Sequence, residues 1–286
     1  MENYEYVESI IEQSSETFHQ AFKDLPDKKR KAVFSIYAFC RQADDAVDVN
    51  KDVTIIKALR ENFKDLIKGD TPQDPIFETM AETFQNFPSD EAPYLTFLDG
   101  LEEDFNESPI KTDEDLESYA YKVGGTVALM LMPIVASEAL KTNHDKVREV
   151  MIELGKAMQI TNILRNVRDD LIRRRVYFPD DAIAQHGVKI ETLRIGVVTS
   201  EYRSLVETYI DKAKAKYKVF YDNVALFDED SVLGIYTAAR LYEGILDEIR
   251  KGNYTNITKK HSIGTLRKWI LLRKIKKELT QKGVFK

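Results

Sequence analysis

Cysteine occurs once in the 286 residues, as Cys40. No internal disulfide can form, and a reducing compartment is expected. Four histidines are present, His19, His144, His186 and His261, and their spacing gives no metal-ligand pattern. Only 12 glycines and 8 prolines punctuate the chain, and long stretches lack the period-2 alternation of strands. The best apolar run, Val127–Val135 (VALMLMPIV), falls well short of the ~20 residues that span a bilayer. The opening residues, MENYEYVESI, are acidic and lack a secretory pattern. No GxGxxG dinucleotide loop occurs. The net charge of -6 argues against a general nucleic-acid binder. These absences lead us to expect a cytoplasmic protein with no nucleic-acid partner.

What is present is helical spacing. A hydrophobic share of 43% supports a sizeable core. The periodicity predicts helices near 3–20, 27–49, 53–68, 74–86, 90–105, 113–136, 144–171, 199–224, 230–251 and 265–281. Pro26 suits a first helical turn, with Asp24 as its cap. With no long linker and no repeat, the expectation is all-α, one helical domain over 1–286. Charge is uneven: Lys259–Lys286 holds ten basic residues and one acid, Glu278. The remainder is acidic. That basic tail, with Trp269, offers peripheral contact with anionic lipid as an alternative to ordinary packing; packing is favoured, because the helical wheel is not cleanly two-faced.

Two polar clusters stand out. Arg41–Asp48 (RQADDAVD) follows the apolar AVFSIYAFC of Ala32–Cys40. On a helix, Asp44 and Asp48 lie at i, i+4, bordering the apolar face of Ile36, Cys40, Ala43 and Val47. Stacked carboxylates repel, so a cation is expected between them: Arg41, or Mg²⁺ with its oxygen ligands. Taken alone, DDxxD fits a solvated acidic face equally well. The second cluster is Gln159–Asp170 (QITNILRNVRDD). Here Asn162, Asn166 and Asp170 fall at i, i+4, i+8 on one face, with Gln159 and Asp169 beside them and Ile163, Leu164, Val167 and Leu171 opposite. Facing helices of a bundle build metal sites from such inward side chains.

CRQADDAVD together with QITNILRNVRDDLIRRRVYFP resembles the squalene and phytoene synthase family, and within it the bacterial dehydrosqualene synthases most. Ser14–Phe18 through Phe22, Tyr121–Thr126 (YKVGGT), Ala239–Tyr242 (ARLY) and Ile245–Ile249 (ILDEI) are similar to other segments of that family. The resemblance implies a class I isoprenoid synthase bundle with a central cavity. It implies head-to-head condensation of two farnesyl diphosphates, via presqualene diphosphate, to dehydrosqualene (4,4'-diapophytoene) in carotenoid biosynthesis. Two or three Mg²⁺ ions would be held by Asp44, Asp48, Asn162, Asn166 and Asp170, without NADPH. Arg41 and Tyr121 would join Asp44, Asp48 and Asp170 in catalysis. Ser15, Thr17, Phe18, Phe22, Tyr37, Arg41, Val123, Gln159, Asn162, Arg165, Tyr177 and Tyr242 would bind substrate. Val127, Leu131 and Met132 would line a tunnel for the prenyl tails. Phytoene synthase and NADPH-dependent squalene synthase are the alternatives. NVRDD in place of a second DDxxD speaks against a head-to-tail enzyme. One departure matters: the family carries Asp where this chain has Asn166, which keeps open an impaired homologue that only binds isoprenoid diphosphate.

Overall fold

The structure, a computed structural model, describes residues 2–284, and every regular element among them is helical. Phe285 and Lys286 of the basic tail lie outside the described residues. The α-helices are α1 (Glu2–Ser14), α2 (Glu16–Phe22), α3 (Asp27–Asp45), α4 (Val53–Lys68) and α5 (Pro75–Asn86). Next come α6 (Ala92–Phe105), α7 (Asp113–Ala120), α8 (Thr126–Val135), α9 (Leu140–Ile172) and α10 (Asp180–His186). The last are α11 (Ile190–Arg194), α12 (Ser200–Asp222), α13 (Val232–Lys251) and α14 (Thr265–Gln281). The chain divides into two compact units whose segments interleave in sequence.

One unit comprises Met1–Ser108, Thr126–Met151 and Val224–Ala238. Its central helix is α3, packed against α1, α5 and α8. Residues Ala32–Ile36 and Ala38–Cys40 are buried, which is why this stretch is apolar on almost every side. Phe39 meets Phe63, Phe77, Tyr94 and Phe97 at centroid distances of 5.9–6.4 Å. The cluster holds α3 against its neighbours through large apolar area and ring-edge contacts.

The other unit comprises Pro109–Gly125, Ile152–Asn223 and Ala239–Lys286. Buried Tyr202, Tyr209, Tyr217 and Phe220 on α12 anchor it. Thr112 begins α7 with a capping box closed by Asp115, which satisfies two orphan N–H groups at the helix start.

Several boundaries depart from simple periodicity. The expected helix 3–20 breaks at Ser15, whose hydroxyl caps α2 by accepting from the Phe18 N–H at 3.3 Å. Pro26 takes the N-cap position of α3 with no side-chain cap, so Asp24 does not serve there. The expected helix 27–49 turns into a π-helical segment over Ala46–Asn50, closed by Lys51 at φ 51°. A second π segment, Tyr121–Gly125, interrupts 113–136. Such wide turns carry one extra residue and recur at functional positions. Helices α10 and α11 fill a stretch with no predicted helix; at seven and five residues they are too short to show a period. The helical stretch Asp113–Val135 is long and apolar enough to cross a membrane by length and composition, yet 56% of its apolar window is buried inside the protein. That burial fits a core helix.

Candidate active site

In the first unit, α3 carries Tyr37, Arg41 and Asp44 along one partly buried edge, while Ile36, Cys40, Ala43 and Val47 are buried beside it. The Phe18 ring lies 5.9 Å from both Tyr37 and Phe22, so three predicted substrate residues form one aromatic wall. Phe22 is core. Ser15 and Thr17 sit at the start of α2, where Ser15 is already committed to the cap.

The cation arrangement differs from expectation. Arg41 does not bridge Asp44 and Asp48; its Nε donates to Asp45 Oδ2 at 3.0 Å, and its Nη2 lies 2.5 Å from Asp45 Oδ1. Asp44 is pushed up to about 7, first by burial and then by the negative charge of Asp48. Arg41 offsets part of this, while Asp45 and Asp104 add to it. Asp104, near the end of α6, is a carboxylate that local spacing does not single out. Asp48 falls inside the π segment, so a regular 3.6-residue wheel does not describe its direction.

The histidines also yield a surprise. His19 Nε2 lies 3.4 Å from Glu12 and 3.7 Å from Glu8, and the three side chains bring ligand atoms within 4.8 Å of one another. The break at Ser15 folds α2 against α1 and makes this cluster, which no sequence spacing reveals.

In the second unit, α9 presents Gln159, Asn162, Asn166 and Asp170 as a partly buried row, with Ile160, Ile163, Leu164 and Val167 buried behind. Asn162 Oδ1 is buried and has no hydrogen-bond partner among the described residues. Asn166 Oδ1 accepts from Arg165 Nε at 3.3 Å, and the Arg165 guanidinium lies 5.6 Å from the Tyr242 ring centre. The π segment holding Tyr121 and buried Val123 is laid on α9 by glycine. A Cβ on Gly124 would stand 2.5 Å from the Gly155 carbonyl oxygen and 2.8 Å from Gln159 Cβ. A Cβ on Gly155 would stand 2.3 Å from the Gly124 oxygen. Only glycine allows that approach. Tyr177 stacks on Tyr119 at 5.2 Å.

A squalene/phytoene synthase family model matches residues 11–269. The chain belongs to the squalene/phytoene synthase family. It is 32% identical over 259 residues to the 4,4'-diapophytoene synthase of Staphylococcus haemolyticus, covering 89% of this chain and 90% of that one. It is 31% identical over 277 residues to chloroplastic phytoene synthase 1 of Zea mays, covering 95% of this chain and 67% of that one. A crystal structure of a dehydrosqualene synthase in complex with a ligand superposes with a TM-score of 0.91 at 32% identity, covering 98% of this chain and 97% of the other. The all-α expectation and the isoprenoid synthase fold type therefore hold.

Carboxylate and amide oxygens suit Mg²⁺. Two features fit a cation: the raised Asp44 beside a second carboxylate, and the partnerless buried Asn162 oxygen. Both would be relieved by a positive ion.

Two further residues of the second unit lie beside the row: Asn256, which the sequence reading missed, and Lys260, which it met only as half of the basic pair Lys259-Lys260. Buried Asn256 donates to the Leu164 carbonyl at 2.8 Å, tying the chain after α13 to the middle of α9. Lys260 Nζ lies 3.7 Å from Asp169 Oδ2, and its pKa is lowered, first by burial and then by Arg165. An open pocket of about 720 Å³ lies beside the motif, lined by residues including Arg168, Arg174, Arg194, Leu171 and Ile195; no predicted site residue lines it.

Proposed function

We propose that this family member joins two farnesyl diphosphates head to head, by way of presqualene diphosphate, to give dehydrosqualene for carotenoid biosynthesis, with Mg²⁺ as its metal and no need of NADPH. The observation that carries this reading is the near-complete superposition on a dehydrosqualene synthase, with almost every residue of both chains matched. In this proposal Asp44, Asp48, Asn162, Asn166 and Asp170 would be the residues that hold two or three ions. Magnesium, when bound, neutralises diphosphate charge and eases its departure.

The rest follows from the chain itself. Arg41 spends two donors on Asp45; the remaining guanidinium N–H groups are free in number to grip phosphate oxygens in the fork geometry that suits them. Asp45 thereby fixes the Arg41 head without consuming it. Arg165 is steadied by Tyr242 and reaches the same chemistry in the second cluster. Departure of diphosphate leaves an allylic cation, which water would quench. The aromatic wall of Phe18, Phe22 and Tyr37 excludes water and offers ring faces to positive charge. Its bulk favours the shorter, fifteen-carbon tail.

The test is direct. Purified protein is incubated with farnesyl diphosphate and Mg²⁺, with and without NADPH, and in parallel with geranylgeranyl diphosphate; the hydrocarbon is identified by mass spectrometry. Dehydrosqualene in both farnesyl tubes is the expected result. Phytoene from the longer substrate alone, or squalene only with NADPH, overturns the product assignment. A second reading has its own observation: the Asn166 oxygen is neutral and already accepts from Arg165. Tight Mg²⁺-dependent binding with no product, and turnover restored by Asn166→Asp, would favour a binding-only protein.

A further inference from the structure

Helix α14 buries only Ile275 and Leu279 fully. Its opposite side carries Leu266, Trp269 and Ile270, which are 73%, 50% and 41% exposed. With Arg273 and Lys277 these residues follow i, i+3, i+4, i+7, i+11, a single stripe about 100° wide on a helix of 3.6 residues per turn. The placement settles what periodicity left open: the helix has two faces, and the apolar part of one points to solvent.

Charge sorts along the same surface. Arg273, Lys274, Lys276 and Lys277 are exposed, and none has a carboxylate partner among the described residues. The helix's one acid, Glu278, is turned inward and held by Arg240 at 2.7 Å. Arg273 lies over the Trp269 ring at 3.7 Å from its centre. A cation stacked on an exposed indole beside two aliphatic side chains is an interfacial arrangement. The indole suits the headgroup level, the aliphatic groups reach the acyl boundary, and the cations meet anionic headgroups.

We infer that the exposed face of α14 docks the protein on an anionic lipid bilayer. A second copy of the chain is the competing occupant. Three apolar side chains on one narrow stripe are far from the ~1,200 Å² or more that a stable protein interface buries, whereas a bilayer needs only shallow insertion plus charge. The inference does not rest on the catalytic reading.

The chain has a single tryptophan, so Trp269 emission reports this face alone. Full-length protein is mixed with vesicles of phosphatidylglycerol and phosphatidylcholine, or of phosphatidylcholine alone, and followed by fluorescence and co-sedimentation. The expected result is a blue shift and sedimentation with the anionic vesicles only, reversed by high salt. Arg273→Glu with Lys277→Glu should weaken vesicle binding by more than about tenfold, given the ~1 kcal/mol each basic residue contributes near such a surface. Leu266→Ser with Ile270→Ser should reduce the blue shift and the binding that survives moderate salt. Circular dichroism of both variants checks that these solvent-facing changes leave the fold intact. Absence of binding to anionic vesicles overturns the proposal. So does equal binding to both vesicle types, or a concentration-dependent dimer in sedimentation velocity that the same variants abolish.

Discussion

The two polar clusters reach related chemistry from opposite electrostatic starting points. In the Asp44 cluster burial acts first, and the charges of Asp48, Asp45 and Asp104 add to it against the offset of Arg41, so that Asp44 is pushed up to about 7. The Asn162 cluster is already tempered. Its row contains three amides, Arg165 donates to one of them, and Lys260 approaches Asp169. The first cluster is thus marked by one raised carboxyl, Asp44. The second is marked instead by one buried oxygen, Asn162 Oδ1, with no hydrogen-bond partner among the described residues. The difference shows that the same i, i+4 spacing in sequence does not give the same electrostatic setting in the fold.

The sharpest way to break the comparison is to remove the charge that creates it. Asp48→Asn should cut turnover by at least about 100-fold if Asp48 holds the proposed metal, because a ligand charge is then lost, and it should lower the Asp44 pKa, since the repelling neighbour is gone. Single-turnover kinetics and NMR titration of the Asp44 carboxyl check the two halves. Next in size is the packing that sets the second cluster. Gly155→Ala forces a methyl group against the Gly124 backbone and should destabilise the protein by about 1–3 kcal/mol, read as a lowered urea midpoint. Asn166→Asp tests whether the second cluster can be made to resemble the first. Mg²⁺ affinity should rise by about tenfold, the net of several kcal/mol of added attraction and the cost of desolvating a new charge, measured by calorimetry.

A smaller effect is read from pH. Asp44 sits at about 7 in the folded protein against 3.8 for the free group. Between those values the native state keeps a proton that the unfolded chain has lost. Metal-free protein should therefore lose stability as pH rises from about 4 to about 7, with no further loss above that from this group. Asp44→Asn should flatten that slope, and Mg²⁺ should reverse it while releasing protons; thermal melts across pH, with and without Mg²⁺, decide. The smallest change is Ser15→Ala. It removes the cap of α2 and should cost about 1 kcal/mol. A much larger loss of turnover with stability nearly intact would show that the hydroxyl also serves substrate.

Sequence patterning by itself determined a good deal. Apolar spacing gave the helical class, and helix 265–281 coincides with α14, because a long amphipathic helix is written in residues three and four apart. The row on α9 was legible for the same reason: a straight helix keeps its 3.6-residue period, so Asn162, Asn166 and Asp170 had to share a face. The motifs also sufficed to identify the family.

Other features were settled only by tertiary structure. The π segments at Ala46–Asn50 and Tyr121–Gly125 have no local sequence period, since a wide turn is tolerated where surrounding packing offsets its cost. The pairing of Arg41 with Asp45 rather than across Asp44 and Asp48 is seen only in the folded chain. The addition of Asp104, Lys260 and Asn256 to their clusters arises from contacts far along the chain, and that of His19 from the break between α1 and α2. The Gly124–Gly155 approach joins residues that are neighbours only once α9 is in place. Periodicity encodes which face of a helix is apolar; what that face meets is fixed by the folded whole, where burial and charge act over distances that no local pattern records.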